Sequence, residues 1–183
     1  MQKNIILIST ADWNHPLWTN KQHVSLSLAN AGFRVLYVES LGLRKIRNSK
    51  RDFSRIFLRI FNAFKPPRQV YSGVWICSPL VLPGLHKGLP LLLNKLSISA
   101  SIKLSSFFLG FVKPILWTYN PITARILDLS QFPLKIYHAV DAVQEQPDMP
   151  FSLIANEEKR LCHQVDHVFV TSPKLKESLE PYS

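Results

Sequence analysis

The chain has 183 residues, 46% hydrophobic and 11% aromatic, with 22 Lys/Arg against 12 Asp/Glu. That hydrophobic content excludes a disordered tail, and the length suits one domain with ample core. Cys77 and Cys162 are too few for a disulfide framework, and no C-x-x-C or Cys/His cluster suggests zinc, so two buried, reduced thiols of a cytosolic protein are expected.

The N-terminus carries a single Lys, four apolar residues and then Asp12, which does not read as a signal peptide. Asn4 to Ser9 is a short Ile-rich run, too short for a core helix, and predicts a strand. Ala11 to Thr19 holds an Asp, an Asn, a Pro and two Trp, the chemistry of a loop. Asn20 is a candidate cap for a helix whose apolar side is Val24, Leu28 and Ala31. Gly32 ends it, and Arg34 to Val38 returns as a strand. A strand, a crossover helix and a second strand make a βαβ unit, hence a parallel sheet. Ligands of such sheets bind outside the carboxyl ends of the strands, so the loop Asp12 to Lys21 is the first candidate site. It contains no glycine, which excludes a dinucleotide fingerprint there, and no phosphate loop occurs elsewhere.

The formal net charge of +10 is uneven: residues 1–70 carry +9, residues 71–183 only +1. Arg44 to Arg68 holds nine basic residues against Asp52 alone. Within it Phe53, Ile56, Phe57, Ile60, Phe61 and Phe64 keep a helical apolar spacing, with Arg51, Arg55 and Arg59 on the opposite side. This is the composition of a helix lying in a membrane interface, and it is also that of a core-facing helix with a solvated basic face. Nucleic-acid modules interleave aromatic and basic residues, whereas here the two are segregated, so nucleic acid is not an expected partner.

Val70 to Cys77 predicts the next strand, and a Pro/Gly loop leads to a long helix from about Leu89 to Phe111. The apolar region Leu89 to Leu116 is broken by Lys95, Lys103 and Lys113, so a buried or half-buried helix is expected rather than a membrane span. Ile115 to Tyr119 is a strand, Pro121 opens a short helix ending near Leu129, and Leu134 to His138 is a strand. An acidic loop, Ala139 to Pro150, precedes a helix with the stripe Phe151, Ile154, Leu161 and Val165; Glu157 and Glu158 are expected on its solvated face. His167 to Thr171 is the sixth strand, and Ser172-Pro173 starts a last helix. Six strands alternating with helices predict an α/β fold, a doubly wound, mostly parallel Rossmann-like sheet.

Tyr137-His138-Ala139-Val140-Asp141 follows directly on a strand and so falls at the carboxyl edge. His138 and Asp141 there could transfer a proton or orient a sugar hydroxyl; alternatively Asp141 caps a turn and His138 is packed. His15 and His23 match no zinc spacing, so no metal is expected; His23 suits packing or ligand contact at a helix start.

The strings H-P-L-W-T-N-K-Q-H-V-S-L-S-L-A-N-A-G-F-R-V-L-Y-V-E-S, I-Y-H-A-V-D-A-V and E-E-K-R-L-C-H-Q-V-D-H-V-F-V-T-S-P-K-L together resemble the N-terminal domain of GT-B glycosyltransferases of the family-4 type. The family's usual glycine pair after the first strand is replaced by Trp18-Thr19-Asn20, and a C-terminal domain with its acidic E-x7-E element does not follow within these residues. The resemblance implies one acceptor-binding domain over residues 1–183, with the nucleotide-sugar domain supplied separately or missing. It implies a hexosyltransferase that moves a sugar from a nucleotide diphosphate sugar, with retention, to a lipid-linked or cell-envelope glycan at the inner face of the membrane. No further cofactor is implied. Asp12, Trp13, Asn20 and Lys21 would line the acceptor side, Asp141 and His138 would face the transferred sugar, and the helix around Phe57 and Phe61 would dock on anionic lipid. The competing class is a non-catalytic membrane-surface or protein-interaction module, a degenerate or split half-enzyme.

Overall fold

A strand such as Ile5-Ile6-Leu7-Ile8, apolar at every position, is stable only where both faces of its sheet are covered. The computed structural model describes residues 3–40, 66–81, 88–140 and 151–183, and β1 (Asn4–Ile8) lies at the centre of its sheet, buried at all five positions. In chain order the elements are β1, α1 (Asn20–Asn30), β2 (Arg34–Val38), β3 (Arg68–Tyr71), β4 (Val74–Cys77), α2 (Gly88–Leu109), β5 (Ile115–Thr118), α3 (Thr123–Ile126), β6 (Lys135–Ala139), α4 (Phe151–Cys162), β7 (His167–Val170) and α5 (Pro173–Leu179).

The sheet has seven strands in the order β3-β4-β2-β1-β5-β6-β7, parallel throughout except where β3 pairs antiparallel with β4. The single strand expected at Val70 to Cys77 is therefore a hairpin, giving seven strands rather than six. Ser72-Gly73 makes the turn, and Gly73 supplies a φ of 80°. A Cβ at Gly73 would stand 3.2 Å from the Cβ of Ala29 and 3.3 Å from the carbonyl oxygen of Phe33. Setting that edge hairpin strand aside, the parallel strands follow the order 3-2-1-4-5-6, compatible with a Rossmann-like fold. The chain builds outward from β1 to β4 on one side, then returns to build β5, β6 and β7 on the other.

Alternation along β1 divides the core in two. Ile5 and Leu7 join Val35, Tyr37, Val74 and Ile76 in a cluster covered by Val24, Leu28 and Ala29 of α1. Ile6 and Ile8 join Leu36, Val38 and Leu116 on the other face, covered by Ile98 and Ile102 of α2, Ile126 of α3, and Ile154 and Leu161 of α4. Helix α2 is half-buried, as expected. Both cysteines are free and buried, and burial pushes each thiol up to about 12.

Three local expectations need correction. The cap of α1 is Thr19 rather than Asn20: the Gln22 side chain accepts from the Thr19 N–H at 3.1 Å and from its hydroxyl at 2.9 Å. Helix α3 stops at Ile126, and Leu129–Gln131 is a separate 3-10 turn fastened by Asp128, whose carboxylate accepts from the Ser130 N–H at 3.0 Å. Glu157 and Glu158 are buried rather than solvated, because each has a partner. Glu157 pairs with Arg125 of α3 at 2.5 Å, and Glu158 accepts from the Tyr137 hydroxyl of β6 at 2.5 Å. Together they tie α4 to α3 and to the sheet. The amphipathic segment with Arg51, Arg55, Phe57, Arg59 and Phe61 lies outside the described residues, as does Asp141.

Candidate functional site at the carboxyl edge

The carboxyl ends of β1, β2, β5 and β6 meet where the strand order turns, the position at which open parallel sheets bind ligands. The loop after β1 is built inward from its ends. The hydroxyls of Ser9 and Tyr37 are 2.7 Å apart, and both reach the Ala11 carbonyl, at 2.9 Å each. Glu39, the first residue after β2, accepts from the Trp13 N–H at 2.9 Å through Oε1 and from the Ser78 hydroxyl through Oε2. Gln22 of α1 donates to the Asp12 carbonyl at 3.1 Å. Trp13 is thereby pinned and buried, with its ring edge-on to Tyr37 at 5.1 Å and tilted to Trp18 at 5.3 Å. Trp18 is half-exposed and meets the His23 ring at 5.7 Å.

A second wall comes from the strands beyond β1. Register sets His138 beside Phe169 and Thr118 beside Tyr137, and Tyr119 follows directly on Thr118 at the end of β5. The Tyr119 and His138 rings stack at 4.8 Å, and Trp117 and Phe169 stand 5.9 and 6.1 Å from His138. The ammonium of Lys21, in the first turn of α1, sits 5.6 Å from the centre of the Tyr119 ring, a cation–π distance. Lys21 is 7% exposed, low for a lysine, and it bridges the α1 wall to the β5–β6 wall.

The electrostatics follow from burial. Desolvation first, and the Lys21 charge second, hold the His138 imidazole below its ordinary range, so at neutral pH it is the neutral base. Burial raises the Tyr119 and Tyr37 hydroxyls well above the ordinary tyrosine value; the Trp117 indole and the Ser9 hydroxyl pull the other way but are outweighed. Both therefore stay protonated. His138 Nδ1 and Asn120 Nδ2 are buried and lack a hydrogen-bond partner among the described residues. Asn120 is held still, accepting from the Ile122 N–H at 3.1 Å through its side chain and from the Thr123 hydroxyl at 2.6 Å through its carbonyl. Such atoms are normally satisfied by water or by a ligand hydroxyl. The half-exposed rings of Trp18 and Phe169, a buried ammonium, a neutral imidazole and an amide donor together suit a polyhydroxylated ring, whose C–H face packs on an aromatic ring while its hydroxyls take hydrogen bonds.

Of the residues singled out from the sequence, Trp13, Lys21 and His138 belong to this arrangement. Asp12, Asn20 and His23 are exposed on its rim. His15 serves its own loop, its Nδ1 lying 2.8 Å from the Leu17 carbonyl. No group of three His, Cys, Asp or Glu side chains suited to a metal occurs among the described residues. Sequence reasoning missed Glu39, Trp117, Tyr119 and Asn120. The rule that directed attention to the loop after β1 applies equally to the V-E-S and W-T-Y-N strings ending β2 and β5.

No protein-family model matches the chain, and neither does any curated protein.

Proposed function

We propose that the chain is the acceptor-binding half of a GT-B glycosyltransferase of the family-4 type, with a doubly wound N-terminal domain. In this reading a second domain carries the nucleotide diphosphate sugar, and a hexosyl group passes with retention to a lipid-linked or cell-envelope glycan at the cytoplasmic face of the membrane. The observation that carries it is the Lys21–Tyr119–His138 stack at the carboxyl edge where the strand order turns. A sugar meeting the half-buried edge of this stack, with the half-exposed Phe169 ring beside it, would find the neutral His138 able to exchange a hydrogen bond with a hydroxyl. Lys21 would favour negative charge developing beside it as the donor bond breaks. The half-exposed Trp18, backed by the buried Trp13, would supply a further apolar surface. The absence of glycine from the β1 loop fits an acceptor site better than a pyrophosphate site.

The test is transfer of label from UDP-glucose, UDP-galactose, UDP-N-acetylglucosamine and GDP-mannose to a lipid extract of the source membranes, with the nucleotide-sugar domain supplied. Label entering the lipid fraction with one donor supports the proposal. No transfer from any donor by folded protein, with the extract shown to be glycosylated by whole membranes, removes it.

A further inference from the structure

Helix α2 is inverted relative to a helix that faces water. Its inward line is Asn94, Ile98, Ile102 and Ser105, half of it polar. Its outward line is Leu89, Leu92, Leu93, Leu96, Leu104 and Phe107, all within about 60° of one direction at 3.6 residues per turn. These side chains are not marginally open: Leu89 is 66% exposed, Leu96 60% and Phe107 79%. Phe108 in its last turn and Val112 just past its end extend the patch. Water-facing helices carry polar residues on that side, and a contiguous apolar strip of this length marks a surface that is covered in use.

Charge decides what covers it. The only charged residues of α2 are Lys95 and Lys103, both exposed, and Lys113 follows just beyond. From residue 53 to residue 127 the sequence holds nine Lys/Arg and no Asp or Glu at all. A second copy laid face to face would set three lysines on each side against one another, with Asp128, whose carboxyl Lys103 helps to hold down, as only a partial counter-charge. A surface of acidic lipid neutralises them and accepts the leucines and phenylalanines together. No described helix is long and apolar enough to cross a membrane, so α2 lies flat, about 33 Å of helix along the interface. Lys103 within the strip and Lys95 on its flank reach headgroups by extending their stems along the apolar surface.

We infer that the outer face of α2, Leu89 to Phe108 with Lys95, Lys103 and Lys113, is a membrane-docking surface for an anionic phospholipid bilayer. It is distinct from the Arg51–Phe61 segment. It belongs with the membrane half of the reading above and is independent of the glycosyl-transfer half.

The experiment uses the 183-residue chain and two sets of vesicles, phosphatidylcholine alone and phosphatidylcholine mixed with phosphatidylglycerol. Because Cys77 and Cys162 are buried, Leu96→Cys and Phe107→Cys each accept an environment-sensitive fluorophore selectively. The expected result is flotation with the anionic vesicles, a blue shift at both labelled positions, and weaker binding in salt. Leu96→Ser combined with Phe107→Ser should lower partition by about a hundredfold or more while leaving the melting temperature intact, since both sites are exposed. Flotation without a fluorophore shift at either site would overturn this surface while leaving membrane association standing. No flotation at all would overturn both. A dimer in sedimentation, dispersed by Phe107→Ser, would assign the face to a second copy and also overturn the inference. None of these outcomes depends on sugar transfer.

Discussion

Replacing Glu39 by Ala removes a side chain that fastens the β1 loop both to the end of β2 and to the segment after β4. The carboxylate accepts from the Trp13 N–H at 2.9 Å and from the Ser78 hydroxyl. A hydrogen bond to a charged acceptor contributes about 1.5–3 kcal/mol. Trp13 is 6% exposed, so its N–H loses a partner that water does not readily replace; Ser78 is more open, and its hydroxyl can turn to solvent. One full loss and one partial loss give about 2–3 kcal/mol. For a domain of this size that is a fall in melting temperature of about 4–12 °C. Glu39→Gln keeps an acceptor oxygen for the Trp13 N–H but gives up the charge, so it should cost about half as much. Thermal unfolding measures the global loss. The near-ultraviolet circular dichroism of the Trp13–Trp18–Tyr37 cluster reports on the loop itself and should weaken in the Ala variant before any unfolding. An Ala variant within about 0.5 kcal/mol of wild type, with its aromatic signal unchanged, would refute the clamp, since that is the scatter of ordinary surface changes.

The folded His138 titrates below its ordinary value of 6.5, so its contribution to stability is complete above that pH and is lost as pH falls through the folded value. Lys21→Met should raise the value seen by NMR of the imidazole protons without restoring 6.5, because burial is the larger cause; no change would separate Lys21 from the site. Burial raises the Glu158 carboxyl, with the Tyr137 hydroxyl opposing it, so its contribution is present below 4.5 and lost as pH rises through the folded value. Glu158→Gln should therefore flatten the stability profile above pH 4.5 while keeping the Tyr137 bond, whereas Glu158→Ala should cost about 2 kcal/mol in chemical denaturation by orphaning that hydroxyl. Gly73→Ala should cost about 1–3 kcal/mol, as both its φ of 80° and the 3.2 Å approach to Ala29 oppose a side chain; an unchanged unfolding midpoint would contradict the turn. Calorimetry on these 183 residues should find no low-micromolar binding of a nucleotide diphosphate sugar, and finding it would place the donor site here.

The parallel core was legible because β1, β2, β5, β6 and β7 are apolar runs set between helical patterns, and each appears within a residue or two of its expected bounds. The β3–β4 hairpin was not, because Ser72-Gly73 interrupts an otherwise continuous apolar run by only two residues. Glu157 and Glu158 read as solvated for a general reason: local pattern does not reveal that Arg125 and Tyr137, distant in sequence, arrive beside them. The cap of α1 was misplaced by one residue because Thr19 and Asn20 are both good caps, and Gln22 decides between them. Of the site, the loop and His138 followed from topology alone. The Tyr119 wall needed the register that sets β5 against β6. The outward apolar side of α2 was hidden because Ile98 and Ile102 inward and Leu and Phe outward leave the helix apolar on both sides, with little periodic contrast.

The most direct measurement is turnover per folded molecule in the sugar-transfer assay, with the nucleotide-sugar domain present, for wild type, His138→Ala and Asp141→Asn. Asp141 follows β6 by two residues in the sequence, and as asparagine it keeps its shape without its charge. A fall of roughly 10²-fold or more is expected for each variant, the scale of a lost positioning or acid–base contact, with the Asp141→Asn melting temperature nearly unchanged. Turnover equal to wild type in both variants would contradict the proposal.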